Sequence, residues 1–396
     1  MTDENGEEPV VDLSTIDLSE RLERSIFAFR GYNVSNLGRT PELLARREYG
    51  PTIERFLSEG SQIAADLLGR PVDLVDRVRE RRETTLDVYG EAVALVICTE
   101  LAQLELLEQY HGIRYAQAPL AAGYSLGELA ALVAGDVFPL ESVLKPLLEL
   151  APDTKELAAD VRMGVLFSRG PEIDVDAVTR HCLRITNAGN GVIAISTILS
   201  PNTVLLMGQS DTVAEFKKTM HDALLNPVHL RLNQHSWPPI HTPISRQRQI
   251  SDRAAVILDT VAGGFTAPTV RILSCVTGAT EDYNDFNSRD ILIRWIERPQ
   301  RLWDVIERMF NEGVETVIHV GPEPNIIPAT LKRLSNNVRA QLSGDSISSF
   351  GLRAISRIVR RHRPWLSGLL SRDAALLRAP FIDQINLEDW LLARPV

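Results

Sequence analysis

The sequence predicts an α/β fold in two parts: a large, mainly parallel sheet with helices on both faces, and a small α+β unit inserted into it. Three observations carry this reading. Short apolar runs alternate with helical stretches through the outer parts of the chain, as a sheet covered on both faces requires. Near the middle the order becomes strand, helix, strand, strand, helix, strand, the pattern of a ferredoxin-like unit. Between them, the apolar run 120–123 passes through a glycine-flanked turn into the helix-forming stretch LGELAALVAG.

The elements follow in chain order. Residues 1–24 are acidic and poor in aromatics, and are read as a flexible N-terminus. The run SIFAF (25–29) is a first strand ending at Arg30-Gly31. After a long helical stretch, YGEAVALVICTELAQLELLEQY (89–110) has apolar residues at helical spacing and on most of its faces, which marks a buried helix. Residues 156–231 form the small unit: MGVLFS, GVIAISTI and NTVLLMG are strands, VDAVTRHCLRI and DTVAEFKKTMHDALL are helices. A Pro- and His-rich loop, a helix, a strand at 271–276, another helix and the strand 316–320 ending at Gly321-Pro322 complete the large unit. Its two pieces are therefore 25–155 and 232–336. Residues 337–396 are read as a helical basic extension containing Arg353, Arg357, Arg360, Arg361 and Arg363. A solvated helix face is the simplest account of that cluster. Peripheral docking to an acidic carrier protein or an anionic membrane surface are the alternatives.

Bulk composition narrows the function. The 396 residues support one large domain or two modest ones. The net charge of −10 argues against nucleic acid as main partner, because phosphate binding needs a concentrated basic face. Cys98, Cys182 and Cys275 have no metal-site spacing and fit small buried residues in a reducing compartment. The acidic N-terminus lacks the basic start of a secretory signal, and no apolar run reaches the roughly 18–20 residues of a membrane span. The expectation is a cytoplasmic protein without a span.

The chemistry centres on Gly123-Tyr124-Ser125-Leu126-Gly127. A serine is a weak nucleophile unless activated and exposed. A sharp strand-to-helix turn lifts its hydroxyl out of the backbone, and glycines on both sides permit that geometry. The helix that follows aims its N-terminal N–H groups and dipole at the serine, so the Leu126 N–H is the natural oxyanion donor. The base should be a histidine, whose pKa lies near operating pH. The Pro-rich loop offers two, His235 and His241; the other six read as surface or core residues.

The elbow extends to GYSLGELAAL, and three further stretches stand in order around it: FAFRGYNVSNLG, ILSPNTVLLMG and RWIERPQRLWDVIERMFNEGVETVIHVGPEPNII. Over about 25–335 the chain resembles the malonyl-CoA:acyl carrier protein transacylases and the acyltransferase domains of polyketide synthases. The resemblance implies an α/β-hydrolase-like large domain with a ferredoxin-like insert. It implies Ser125 as nucleophile and His241, in Pro-Pro-Ile-His-Thr-Pro-Ile, as base. It also implies a backbone carbonyl, falling on Trp295, in place of a carboxylate third member. Glu128, just after the elbow, is then read as a capping or packing residue. Acyl-CoA and an acyl carrier protein become the implied partners, in a ping-pong reaction with no metal or redox cofactor.

Three positions depart from the family's pattern. The first-loop Gln of the oxyanion hole falls on Tyr32, so the Tyr32 hydroxyl or a backbone N–H of the Gly31-Tyr32 loop must substitute, at a cost of roughly 3 kcal/mol for one lost donor. The usual His before the nucleophile is Tyr124. The arginine that pairs a malonyl carboxylate falls on or near Leu150, where leucine would leave a carboxylate unpaired. Lys145 or Arg162 would have to supply the charge, so an acyl group without a terminal carboxylate is expected. An acyl-thioester hydrolase and a non-catalytic carrier-binding module are the rival readings.

Overall fold

The computed structural model describes residues 13–343 and 376–395. Its main sheet has five parallel strands in the order β7 (Arg271–Leu273), β2 (Leu120–Gly123), β1 (Ser25–Phe29), β8 (Thr316–Val320), β9 (Asp383–Asn386). Every residue of β1, β2 and β8 is buried. Strands covered on both faces need no polar alternation, which is why these segments read as continuous apolar runs. The helix Tyr89–His111 is buried on most of its surface and packs in the same core. In register, Phe29 stands beside Gly123 on one side and Val320 on the other. The segments that follow, Arg30-Gly31, Tyr124-Ser125 and Gly321, therefore emerge together at the carboxyl edge of the sheet, where ligands of open α/β sheets bind.

The small unit is antiparallel, in the order β4 (Ile193–Ser200), β5 (Thr203–Gln209), β3 (Val161–Phe167), β6 (His229–Ser236). With helices Val175–Asn187 and Thr212–Ala223 this is the ferredoxin-like arrangement that its element order implied. Its strands and helices run from Val161 to Ser236. One sheet face packs on its own helices through Leu166, Val204, Leu206 and Phe216. The other brings Met163, Leu205 and Met207 into a shared core with Tyr124 and with Leu302 and Ile306. The insert is thus held against the large unit by burial of apolar surface.

Both ends of the chain depart from expectation. Within the N-terminal segment expected to be flexible, Leu13–Thr15 and Ser19–Arg24 form 3-10 turns, and Ile16, Leu18 and Leu22 are buried; residues 1–12 lie outside the described residues. The tail expected to be a helical extension also supplies β9, followed by helix Leu387–Ala393. The physical reason is the open edge of β8, whose unpaired backbone groups β9 satisfies. Ile385, Leu387 and Trp390 are buried, and the Trp390 indole donates to the Ile16 carbonyl at 3.0 Å. The arginine cluster from Arg353 to Arg363 lies outside the described residues. Among the described residues no helix is long and apolar enough to cross a membrane.

Candidate active site

The turn between β2 and helix Leu126–Ala134 places Ser125 at φ 55°, ψ −117°. A non-glycine residue there is strained, at a typical cost of about 1–3 kcal/mol. Close packing on either side requires glycine. A Cβ on Gly123 would lie 2.1 Å from the Glu128 nitrogen, and one on Gly127 would lie 2.3 Å from the Phe29 carbonyl oxygen. The serine is thereby presented at the helix start, with Leu126 as the first helical residue.

His241 meets it from the Pro-rich loop. Ser125 Oγ lies 2.7 Å from His241 Nε2, and His241 Nδ1 lies 2.7 Å from the Trp295 carbonyl oxygen. Because a carbonyl can only accept, Nδ1 carries the proton, and Nε2 is left to accept from the serine hydroxyl. The Trp295 indole donates to the Ser125 carbonyl at 3.1 Å and its ring meets the imidazole edge-on at 4.8 Å. One tryptophan thus fixes both members of the pair. Burial pushes the His241 pKa down to about 4, against the opposing pull of its bond to Trp295, so the imidazole is neutral across the physiological range. His235, the other histidine of the segment, is exposed on β6 and does not line the cleft.

Gln300 is the site residue that sequence reasoning missed. It is fully buried; its Oε1 accepts the Ser125 N–H at 3.2 Å and its Nε2 stands 3.2 Å from His241 Nδ1. Its backbone is stitched to β4, donating to the Ser196 carbonyl and accepting from the Ile198 N–H, both at 2.8 Å. The only signal in the sequence is a polar residue after Pro299. Tyr124 makes a second link, with its hydroxyl 2.9 Å from Thr197 Oγ1 in β4 and burial pushing its pKa up to about 12. Glu128 does not reach His241. It accepts from the Tyr283 hydroxyl at 2.7 Å and the Cys275 N–H at 3.2 Å, and burial raises its pKa to about 7.

The pair opens onto a cleft of about 550 Å³ between the two units, lined by Tyr32, Met163, Trp237 and Arg333 among others. Tyr32 packs edge-on against Tyr89 and Trp237, at 5.1 and 6.4 Å between ring centres. Gly31 lies so close to the elbow that a Cβ would come 2.7 Å from the Tyr124 carbonyl oxygen. The adjoining Arg30 is buried, donating to the carbonyls of Gly31, Ser35 and Pro322 and to Asn36 Oδ1, which locks this first loop against the loop after β8. Leu150, expected at the substrate, is buried and lines a second, apolar cavity that shares Tyr89, Ile240 and Trp295 with the cleft. Among the described residues no group of His, Cys, Asp and Glu is placed to hold a metal ion.

Fold and site define a two-part α/β protein whose elbow serine is paired with a neutral histidine held by a backbone carbonyl. No family model matches the sequence. It is 25% identical over 338 residues to the malonyl CoA-acyl carrier protein transacylase of Haemophilus influenzae, covering 83% of this chain and 97% of that one. It is 24% identical over 306 residues to the polyketide synthase GfsA of Streptomyces halstedii, covering 76% of this chain but only 4% of that much longer protein. FabD of Acinetobacter baumannii superposes with a TM-score of 0.64 at 18% identity, over 79% of this chain and 91% of the other. A malonyl-transacylase solved with a type II polyketide acyl carrier protein gives 0.60 at 20% identity, over 80% and 94%. The chain is similar to the malonyl-CoA:acyl carrier protein transacylase family in sequence and has its fold.

Proposed function

We propose that the protein is an acyltransferase that moves an acyl group from acyl-CoA, through an ester on Ser125, to the phosphopantetheine thiol of an acyl carrier protein. The observation that carries this reading is the relay from Ser125 Oγ to His241 Nε2 and from Nδ1 to the Trp295 carbonyl, both at 2.7 Å. Ser125 Oγ attacks the thioester carbonyl while its proton passes to Nε2. The oxyanion is held by the Leu126 N–H and a group of the Gly31-Tyr32 loop. As the tetrahedral intermediate collapses, the C–S bond breaks and His241 returns the proton to the departing CoA thiolate. The carrier thiol then repeats the sequence in reverse on the ester. An imidazolium buried without a carboxylate is costly, so the Trp295 carbonyl stabilises it only while the intermediate lasts. The reaction needs no metal or redox cofactor.

The cleft fits the carrier's arm. Asn33, Asn233 and Asn325 supply amides suited to pantetheine, and Arg333 supplies a cation suited to a phosphate. The cytoplasm, where acyl-CoA and carrier proteins meet, is the setting this reading implies. The test is intact-protein mass spectrometry after brief exposure to a panel of acyl-CoAs, with Ser125→Ala alongside. The expected result is one acyl mass added to the wild type and none to the variant. An adduct that survives Ser125→Ala, or its absence with every donor, would refute the assignment. A thioesterase would give free acid in place of acyl-carrier product once carrier protein is added.

A further inference from the structure

A second cavity shares Trp295 with the cleft and draws its walls from six helices of the large unit. Leu129 belongs to the helix that starts at the elbow, and Leu150 caps the helix Leu140–Glu149. Ala254 and Leu258 come from Ile250–Leu258, and Leu292 from Ser288–Trp295. Its polar groups are the Thr154 and Tyr89 hydroxyls and the Trp295 indole N–H, and no charged residue lines it. Its volume, about 30 Å³, equals roughly the share of one water molecule in the liquid, or one methyl group. Tyr89, Ile240 and Trp295 line both this cavity and the cleft that holds Ser125.

No cation lines this cavity; Arg162, Arg253 and Arg289 are engaged elsewhere, and Lys145 stays outside the wall. Lys145 contacts Thr260 Oγ1 at 3.5 Å. Arg162 is tied to Ser236 and to the Ala159 and Val161 carbonyls of the small unit. Arg253 pairs with Asp153, and Arg289 spends its donors on the carbonyls of Leu258, Val261 and Gly263. A carboxylate in the cavity would have no partner, and burying one unpaired is strongly disfavoured. An aliphatic end group would instead gain from burial.

We infer that this cavity is the acyl subsite and that it selects a short, uncharged acyl chain, with propionyl and butyryl groups favoured over malonyl. The inference rests on the reading that Ser125 carries the acyl group. With the ester carbonyl at Ser125, the first carbons lie against the wall of Tyr89, Ile240 and Trp295, and the chain end fills the cavity. The small volume sets the length, because each further methylene must displace a side chain from a closely packed wall.

The test is single-turnover acylation of Ser125 by acetyl-, propionyl-, butyryl-, hexanoyl- and malonyl-CoA, followed by intact mass. Propionyl or butyryl should be transferred on the order of 100-fold faster than malonyl at equal subsaturating concentration. Leu150→Ala should move the optimum to longer chains, and Ala254→Leu should move it to acetyl. Val143→Ala enlarges the same cavity and replaces Leu150→Ala should that variant not fold. Malonyl equal to or better than butyryl in the wild type would overturn the inference while leaving the Ser125 reading intact. Loss of such a malonyl adduct in Arg333→Met would relocate the acyl end to the cleft. An optimum unmoved by the cavity variants would overturn it equally. No adduct with any donor would instead sink the parent reading.

Discussion

The two sheets of this protein meet at one cleft but are built differently. In the large unit β1, β2 and β8 are buried on both faces, and the serine turn at the sheet edge is held by glycines that no other residue could replace. In the small unit β3 and β6 have exposed positions along their length. The reacting pair belongs wholly to the large unit: Ser125 on the elbow, His241 on a loop pinned at its own nitrogen by Ile296 and at its ring by Trp295. The small sheet contributes a wall and two hydrogen-bonded ties, through Gln300 and Tyr124. A reaction that turns on a hydroxyl–imidazole distance gains from placing both groups on one unit, and leaving the other to shape the substrate.

The largest expected effect comes from the large unit. His241→Ala should slow acylation by about 10²–10⁴-fold, with the serine intact. In the wild type, acylation measured against pH should stay level down to about 5 and fall as pH approaches 4, because a base of lowered pKa stays deprotonated until then. A fall centred near 6.5 would mean that His241 is more solvated than its burial implies. Gln300→Ala severs the tie between the elbow nitrogen and β4, and should slow acylation roughly 10- to 100-fold with little change in melting temperature. If only stability changed, the tie would be structural and the contrast between the two units would weaken.

Glu128 bears on the stability of the large unit and not on the rate. Its folded pKa of about 7 lies above the unfolded value of about 4.3. Its stabilising contribution is therefore fully present below about pH 4.3 and is lost as pH rises through 7. His241 and His319, both pushed down to about 4 by burial, act in the opposite sense: between about 6.5 and 4 the unfolded chain takes up protons that the folded chain refuses. Glu128→Gln should narrow the drop in melting temperature between pH 5 and pH 8, measured by scanning calorimetry, and leave acid-side melting unchanged. The smallest effect is expected from Tyr124→Phe, which removes one neutral hydrogen bond to Thr197 and should cost about 1 kcal/mol of stability in denaturant unfolding.

Much of this was legible in the sequence, for reasons that differ by region. The parallel strands announce themselves as unbroken apolar runs, and the insert by its order of elements. The elbow is readable because its glycines are a steric necessity. The position of Trp295 came from resemblance; its carbonyl oxygen lies 2.7 Å from His241 Nδ1. Gln300 was hidden because a buried amide leaves no periodic or compositional mark, and its partners are 59 and 175 residues away. Strand β9 was hidden because DQIN has none of the apolar character of a central strand; only Ile385 is buried, and the segment reads as tail. The cavity beside Leu150 was half visible: a leucine in place of a charge can be read, but the empty space beside it can only be seen in three dimensions.

The clasp between the chain's ends bears on how the molecule is made. Trp390 reaches back across 374 residues to the Ile16 carbonyl, and β9 closes the edge of β8. On a ribosome, residues up to Val320 emerge well before residue 383, so β8 waits with one flank open. During that interval the nascent chain presents a ready template for strand addition by a neighbour. Residues 383–386 cover that flank with a short, largely polar edge strand, a poorer template than the apolar β8 it hides.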